Sequence, residues 1–239
     1  MATRSLHALL APIAAAPPAR TVIFTGPSLA IAEARRRLPG AEVQPPIRRG
    51  DLPRAIADGF TVVGIIDGTY VTERTVSAHE ILDALAAGAA VYGAASLGAL
   101  RAVELRGAGM VGVGVIHDWY LRGVTIRDDE VVVGMDPDSF AARNDPLVNL
   151  RHACMRAQRA GLLDAAAAGR LLARYAGYHF ADRSFARLLR EAAAAGDAPA
   201  GTLRGFGAFV AANREELDLK RRDALALLHH IADAHHVGA

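Results

Sequence analysis

Three polar residues stand where short apolar runs give way to small-residue turns: Ser28 in FTGPSL (Phe24–Leu29), Asp67 in IIDG (Ile65–Gly68) and Ser96 in GAASLG (Gly93–Gly98). Ser96 carries the most chemistry. Small residues on either side of a serine permit the tight strand-to-helix turn that exposes a hydroxyl as a nucleophile, and Ala94–Gly98 has that shape, with alanine in place of the usual first glycine. The same serine is equally placed to cap a helix beginning at Leu97 by accepting a backbone N–H. The two roles overlap, because free amides at such a helix start can form an oxyanion hole.

A base is offered by SAHE (Ser77–Glu80). Its spacing fits a capping box, with Ser77 capping a helix and Glu80 reaching back to the cap's amide; that accounts for Glu80, which is nonetheless kept among the catalytic candidates. His79 falls in the first turn, where the helix dipole disfavours protonation and keeps the imidazole available as a base or donor; the alternative is a surface histidine. Asp67 leaves a Val/Ile run directly, and Gly68 permits a turn there, so an Asp-Gly turn is its plain reading. Arg101 has Glu104 at i+3 and is either a helix-face ion pair or an anion clamp. Arg48 and Arg49, in the proline-stiffened PPIRRGD (Pro45–Asp51), either grip a carboxylate or phosphate or form a solvated charge pair.

Other chemistries are poorly served. Lys220 is the only lysine, so no GxxxxGK phosphate loop exists in the N-terminal half, and within the charged run Lys220–Asp223 it reads as solvated. The single cysteine, Cys154, reads as a half-buried helix residue. His229, His230, His235 and His236 lack a carboxylate or cysteine at metal-ligand spacing and read as solvated. No metal and no cofactor is expected.

Positioning the polar residues falls to alternating β-type and helical runs. Strands are expected at Thr21–Thr25, around Ala41–Val43, at Thr61–Ile66 and at Ala90–Gly93; helices are expected up to Arg37 and over Leu52–Asp58, Ala78–Ala87 and Leu97–Arg106. This pattern predicts an α/β fold, a Rossmann-like or flavodoxin-like parallel sheet with helices on both faces. Ligands of such sheets bind at the carboxyl ends of the strands, so Ser28, Asp67 and Ser96, with Gly26 beside the first, share one candidate edge. Beyond Gly107 the chain is glycine-rich, and Asp128–Val133 reads as a charged turn feeding an apolar strand. From Pro146 onward, alanine- and arginine-rich helices are expected at Leu147–Ala160, Ala165–Tyr175, Arg183–Ala195, Thr202–Leu217 and Arg222–His236. The expected division is a leader over 1–20, an α/β core over 21–145 and an all-helical C-terminal region over 146–239.

Composition narrows the class. With 239 residues, 52% hydrophobic and 22% charged, the chain can bury a globular core, and no apolar run approaches the roughly 20 residues that span a membrane. The formal charge of +2 reflects a slight arginine excess, so neither nucleic acid nor a membrane is expected as partner. The N-terminal MATRSLHALLAPIAAAPPAR has some features of a secretory signal, but His7 and Pro12 interrupt its apolar core, and it reads instead as a pliable leader. One cysteine and no export signal point to the cytoplasm.

Taken together, FTGPSL, PPIRRGDL (Pro45–Leu52), IIDG, HEIL (His79–Leu82), GAASLGALRA (Gly93–Ala102) with Glu104-Leu105, and GMVGVG (Gly109–Gly114) resemble the TfuA-like family in order and spacing over about Val22–Val133. Leu97 departs from the methionine frequent in that family. The resemblance implies an accessory role in peptide backbone thioamidation. TfuA-like proteins accompany YcaO enzymes, which use ATP to activate a backbone amide for attack by sulfide. The TfuA-like partner would release sulfide by hydrolysing the thiocarboxylated C-terminus of a ThiS-like sulfur carrier and would stimulate the YcaO enzyme; a precursor peptide is a further possible partner. With Cys154 outside the matching region, a persulfide relay is not expected. Acyl-transfer logic then assigns Ser96, or a water it holds, to attack the thiocarboxylate carbon, His79 as base, Asp67 to orient His79, and the amides of Leu97 and Gly98 to stabilise the oxyanion. Arg101 and Arg48 would hold the anionic terminus, with Arg49, Gly26 and Ser28 lining the same edge. The alternative is a non-catalytic adaptor that docks the carrier onto the YcaO enzyme.

Overall fold

A computed structural model of the chain describes residues 20–70 and 73–236; all of the expected leader except Arg20 lies outside the described residues. Strands form where apolar runs can be buried. β1 (Thr21–Phe24), β3 (Val62–Ile65) and β4 (Ala90–Ala94) are buried almost throughout, as strands of a parallel sheet covered on both faces must be, while β2 (Glu42–Gln44) keeps polar ends. β5 (Val111–Val113) arises inside the glycine-rich segment, held by its pairing with β4 through Tyr92↔Val111 and Ala94↔Val113. All pairings are parallel and the order is β2-β1-β3-β4-β5. Of the two expected families this is the flavodoxin-like one, and the direction of winding switches between β1 and β3.

Helices α1 (Ile31–Arg37), α2 (Asp51–Ala57), α3 (Ala78–Ala86), α4 (Leu97–Glu104) and α5 (Val115–Leu121) alternate with these strands. They are followed by α6 (Leu147–Arg159), α7 (Ala165–Ala176), α8 (Phe185–Ala195), α9 (Ala200–Ala212), α10 (Arg214–Leu217) and α11 (Leu219–His236). The period-2 alternation of strand side chains sorts the core into two layers. Val22, Phe24, Val63, Ile65 and Val91 meet α2, α3 and α4 through Leu52, Ala55, Ile81, Ala84 and Ala102. Ile23, Val62, Tyr92 and Ala94 meet α1 and α11 through Ala34, Leu227, Leu228 and Ile231.

The described chain forms two compact units. One compact unit holds the sheet up to Ile126, Asp136–Ala141 and the chain from Lys220 on; the other holds Arg127–Met135 and Ala142–Leu219. The helical unit has its own core, including Leu150, Leu171, Tyr175, Leu188 and Phe206, and buries Arg183 completely in an ion pair with Asp129 at 2.6 Å. In that unit Val131–Val133 forms no strand. Lacking a strand to pair with, Val131 and Val132 are buried as irregular chain after a 3-10 turn at Asp128–Glu130.

The return of α11 to the sheet corrects two expectations. Lys220 is 3% exposed rather than solvated, because it lies at the start of a helix whose Leu219, Asp223, Ala224, Leu227 and Leu228 are buried. His235 is partly buried with its ring centroid 6.1 Å from that of Tyr92, while His230 stays exposed, as read, with its ring centroid 5.3 Å from that of the same tyrosine. The same helix buries Asp223, whose carboxylate accepts hydrogen bonds from the N–H groups of Val115 (3.0 Å) and Ile116 (2.7 Å) at the start of α5. Burial pushes its carboxyl up to about 7, against the opposing pull of those two amides. The folded protein thus holds a proton here that the unfolded chain gives up near the ordinary aspartate value. This group's contribution to stability is full below the unfolded pKa and is lost as pH rises through about 7. Denaturation midpoints measured from pH 4 to 8 are expected to fall with rising pH, and Asp223→Asn to flatten that slope.

Candidate active site

The turn out of β4 is unusual in its backbone. The Ser96 N–H donates to the Ala94 carbonyl at 2.7 Å, closing a three-residue γ-turn on Ala95, whose φ is +63°. A left-handed alanine is strained, and such strain persists only where the surroundings enforce it; Ala95 is completely buried. Ser96 follows with φ −124° and ψ −124°, and its hydroxyl makes no cap bond to α4. Of the two roles open to it in the sequence, the cap is not the one that is built. Its Oγ lies instead 3.4 Å from the phenol oxygen of Tyr70, and the residue is only 3% exposed.

The two amides expected beside Ser96 diverge. The Gly98 N–H goes to the Ile66 carbonyl at 3.3 Å, whereas the Leu97 N–H has no hydrogen-bond partner among the described residues. Gly98 is held this way because α4 touches the sheet: a Cβ there would sit 1.8 Å from the Ile65 carbonyl oxygen.

At the switch point Asp67 is 2% exposed. Its Oδ2 accepts from the Gly26 and Ser28 N–H groups, both at 2.9 Å, and its Oδ1 from the Ser28 hydroxyl at 2.6 Å. Turn amides of this kind make an anion nest, and here the protein's own carboxylate fills it. A Cβ on Gly26 would lie 2.7 Å from Pro46 and 3.1 Å from Phe140, so that turn is closed from above as well. Asp67, Gly26 and Ser28 are brought together, but with one another, and Asp67 is not turned toward His79.

The Pro45–Arg49 segment crosses this edge, pairing through Ile47 N–H to the Asp67 carbonyl (2.9 Å) and Thr69 N–H to the Ile47 carbonyl (3.1 Å). The Arg49 N–H then reaches the Arg74 carbonyl at 2.8 Å. Arg48, Arg49 and Arg74 are all exposed, and none has an ion-pair partner among the described residues. Arg101 is committed elsewhere, pairing with Glu104 at 2.5 Å and donating to the Val76 carbonyl at 3.2 Å. The capping box forms as read: Glu80 Oε2 accepts from the Ser77 N–H at 2.7 Å, while the Glu80 N–H reaches the Ser77 hydroxyl at 3.2 Å. Glu80 Oε1 also takes the Gly50 N–H at 2.6 Å, tying the starts of α2 and α3 together. His79 is exposed on α3, without a hydrogen-bond partner among the described residues. Ser96, His79 and Asp67 therefore form no hydrogen-bonded triad.

Residues 67–184 match the family model described as TfuA-like protein. The chain belongs to the TfuA-like family. No curated protein matches it. The match begins at Asp67, takes in Ser96 and α4, and continues into the helical unit. Membership places this TfuA-like protein in the YcaO-associated thioamidation system, with a YcaO enzyme as its partner.

One residue of the TfuA-like site has no counterpart among the sequence-derived candidates. Tyr70 lies in no motif; the available signal is its place three residues beyond Asp67, an aromatic in an otherwise polar strand-end loop. No group of three His, Cys, Asp or Glu side chains that could hold a metal ion is found, and no helix is long and apolar enough to cross a membrane, among the described residues. What the edge offers is a buried hydroxyl, a phenol, one unengaged amide and a rim of arginines, a set suited to carbonyl chemistry on an anionic chain end.

Proposed function

We propose that this TfuA-like protein hydrolyses the thiocarboxylated C-terminus of a ThiS-like carrier and releases sulfide for a YcaO enzyme, which it also stimulates, in the cytoplasm. The observation that carries this reading is the state of Ser96: a hydroxyl at the carboxyl end of β4, unused as a cap, beside an unengaged amide. Ser96 Oγ attacks the thiocarboxylate carbon, the C–S bond breaks, and sulfide leaves an acyl ester that water hydrolyses to the carrier carboxylate. The Leu97 N–H faces the oxyanion. Arg48 and Arg49, with Arg74, hold the anionic terminus at the rim. A hydroxyl this deeply covered selects a slender chain end over a bulky substrate. Asp67 and Glu80 serve as framework carboxylates, and His79 has no role in this scheme.

The test is sulfide release from a thiocarboxylated carrier mixed with the purified protein alone. Release without the YcaO enzyme is expected, and Ser96→Ala is expected to lower it on the order of 10³-fold while leaving the melting temperature unchanged. Release that requires all three proteins would favour the adaptor. Full activity in a folded Ser96→Ala protein would remove Ser96 as nucleophile.

A further inference from the structure

We propose that Tyr70 is the catalytic acid–base partner of Ser96, a role that rests on the sulfide-release reading above. Of the titratable groups near this edge, Asp67 is saturated by Gly26 and Ser28, Glu80 by Ser77 and Gly50, and His79 is exposed on α3. The Tyr70 phenol alone is placed against Ser96 Oγ, at 3.4 Å, a separation that tightens readily when substrate is bound.

The loop holds the phenol in place. The Thr69 N–H is bonded to Ile47, the Thr69 hydroxyl donates to the Arg74 carbonyl at 3.0 Å, and the Thr75 hydroxyl donates to the Thr69 carbonyl at 2.8 Å. Tyr70 itself packs partly buried against the core layer that contains Leu97 and Ile47. A side chain anchored by its packed ring and by the bonded backbone of the residue before it presents its oxygen in a defined direction.

A neutral phenol both donates and accepts, which is what the reaction requires. As Oγ bonds to the thiocarboxylate carbon, its proton passes to the Tyr70 oxygen and the phenol proton passes to sulfur, so that HS⁻ departs as the C–S bond breaks. In the second half, water bonds to the ester carbon and gives its proton to the Tyr70 oxygen, while the phenol proton returns to Oγ. The carrier leaves as the carboxylic acid, which ionises in solution. Tyr70 and Ser96 end as they began, and no oxidant, metal or cysteine is called for.

Tyr70→Phe removes one oxygen and leaves the packed ring. The expected result is a fall in kcat on the order of 10²-fold or more with KM unchanged, an unaltered melting temperature, and slower labelling of Ser96 by a fluorophosphonate probe. The double variant Ser96→Ala/Tyr70→Phe is expected to be no slower than Ser96→Ala alone, because the two act as one unit. A difluorotyrosine at position 70, whose phenol is the stronger acid, keeps the shape and should move the alkaline limb of the kcat profile to lower pH. Wild-type turnover in Tyr70→Phe, or an unmoved limb, overturns the role of Tyr70 while leaving sulfide release intact. Wild-type protein that is labelled at Ser96 yet releases no sulfide overturns the sulfide-release reading, and the role of Tyr70 with it.

Discussion

Gly98→Ala is expected to destabilise the sheet unit by roughly 3–5 kcal/mol, among the largest effects of any single methyl addition in the chain. A Cβ at this position would stand 1.8 Å from the Ile65 carbonyl oxygen and 2.6 Å from its carbon. Neither atom belongs to a side chain that can swing aside. The helix must lift away from β3, losing the Gly98 N–H bond to Ile66 and the packing of Leu97 and Ala102. Gly93, facing Gly98 from β4, shows that the close approach is shared: a Cβ on Gly93 would lie 2.1 Å from the Gly98 carbonyl oxygen. Because Ser96 opens the same helix, lifting α4 also moves the hydroxyl, so activity should fall together with stability. Gly107→Ala, just past α4 where nothing lies within 4 Å, is the control and should stay within about 0.5 kcal/mol of wild type. Urea denaturation of the three proteins decides it; a Gly98→Ala midpoint equal to wild type would show that α4 does not rest on the sheet as described.

The contrast between what was legible in the sequence and what was not follows the range of the interactions involved. The capping box at Ser77–Glu80 is local, so its spacing suffices, but the second acceptor oxygen of Glu80 engages Gly50, thirty residues earlier in the chain, and nothing near Glu80 announces it. β1, β3 and β4 are apolar runs because both faces are covered, and their ends therefore mark the functional edge. β5 is three residues with a glycine at its centre and becomes a strand only because β4 offers an unpaired edge; Val131–Val133 looks more strand-like and is offered none. Lys220 and Asp223 sit in a run of four charged residues, which in isolation reads as solvated. The apolar positions that follow, at Ala224, Leu227, Leu228 and Ile231, place the helix on the sheet and bury the charges with it.

The site was legible in the same way. Ser96 and Asp67 were marked by their position at strand ends, but which group each would face is decided by loops that cross the edge from elsewhere in the chain. Ile47 bonds to Asp67 and Thr69, and Tyr70, the residue that follows them, stands beside Ser96 where His79 does not. The strain at Ala95 is also invisible in sequence, since alanine gives no sign of a positive φ; it becomes intelligible once the γ-turn is seen to turn the Ser96 hydroxyl away from the cap position.

Asp67 supplies the second large expected effect and separates a framework carboxylate from a catalytic one. Asp67→Ala leaves two buried N–H groups and a hydroxyl without their acceptor, and about 3–5 kcal/mol should be lost, since each stranded donor costs roughly 1–3 kcal/mol and partial relaxation recovers some of it. Asp67→Asn can rebuild the arrangement. The amide oxygen accepts from Gly26 and Ser28 as Oδ2 does, and the amide nitrogen donates to the Ser28 hydroxyl, which reverses its role and accepts. A cost of only about 1 kcal/mol is therefore expected for the asparagine variant. An aspartate that oriented and charged a catalytic histidine would behave in the opposite way, because the amide would preserve the fold and destroy the rate, as substitution of a triad aspartate does. Sulfide release per folded molecule should thus be nearly unchanged in Asp67→Asn, and a loss of 10²-fold or more in a fully folded variant would return Asp67 to the reaction. The comparison reads stability and rate on the same two proteins, so the role of the carboxylate that closes the switch point is decided by which of the two quantities moves.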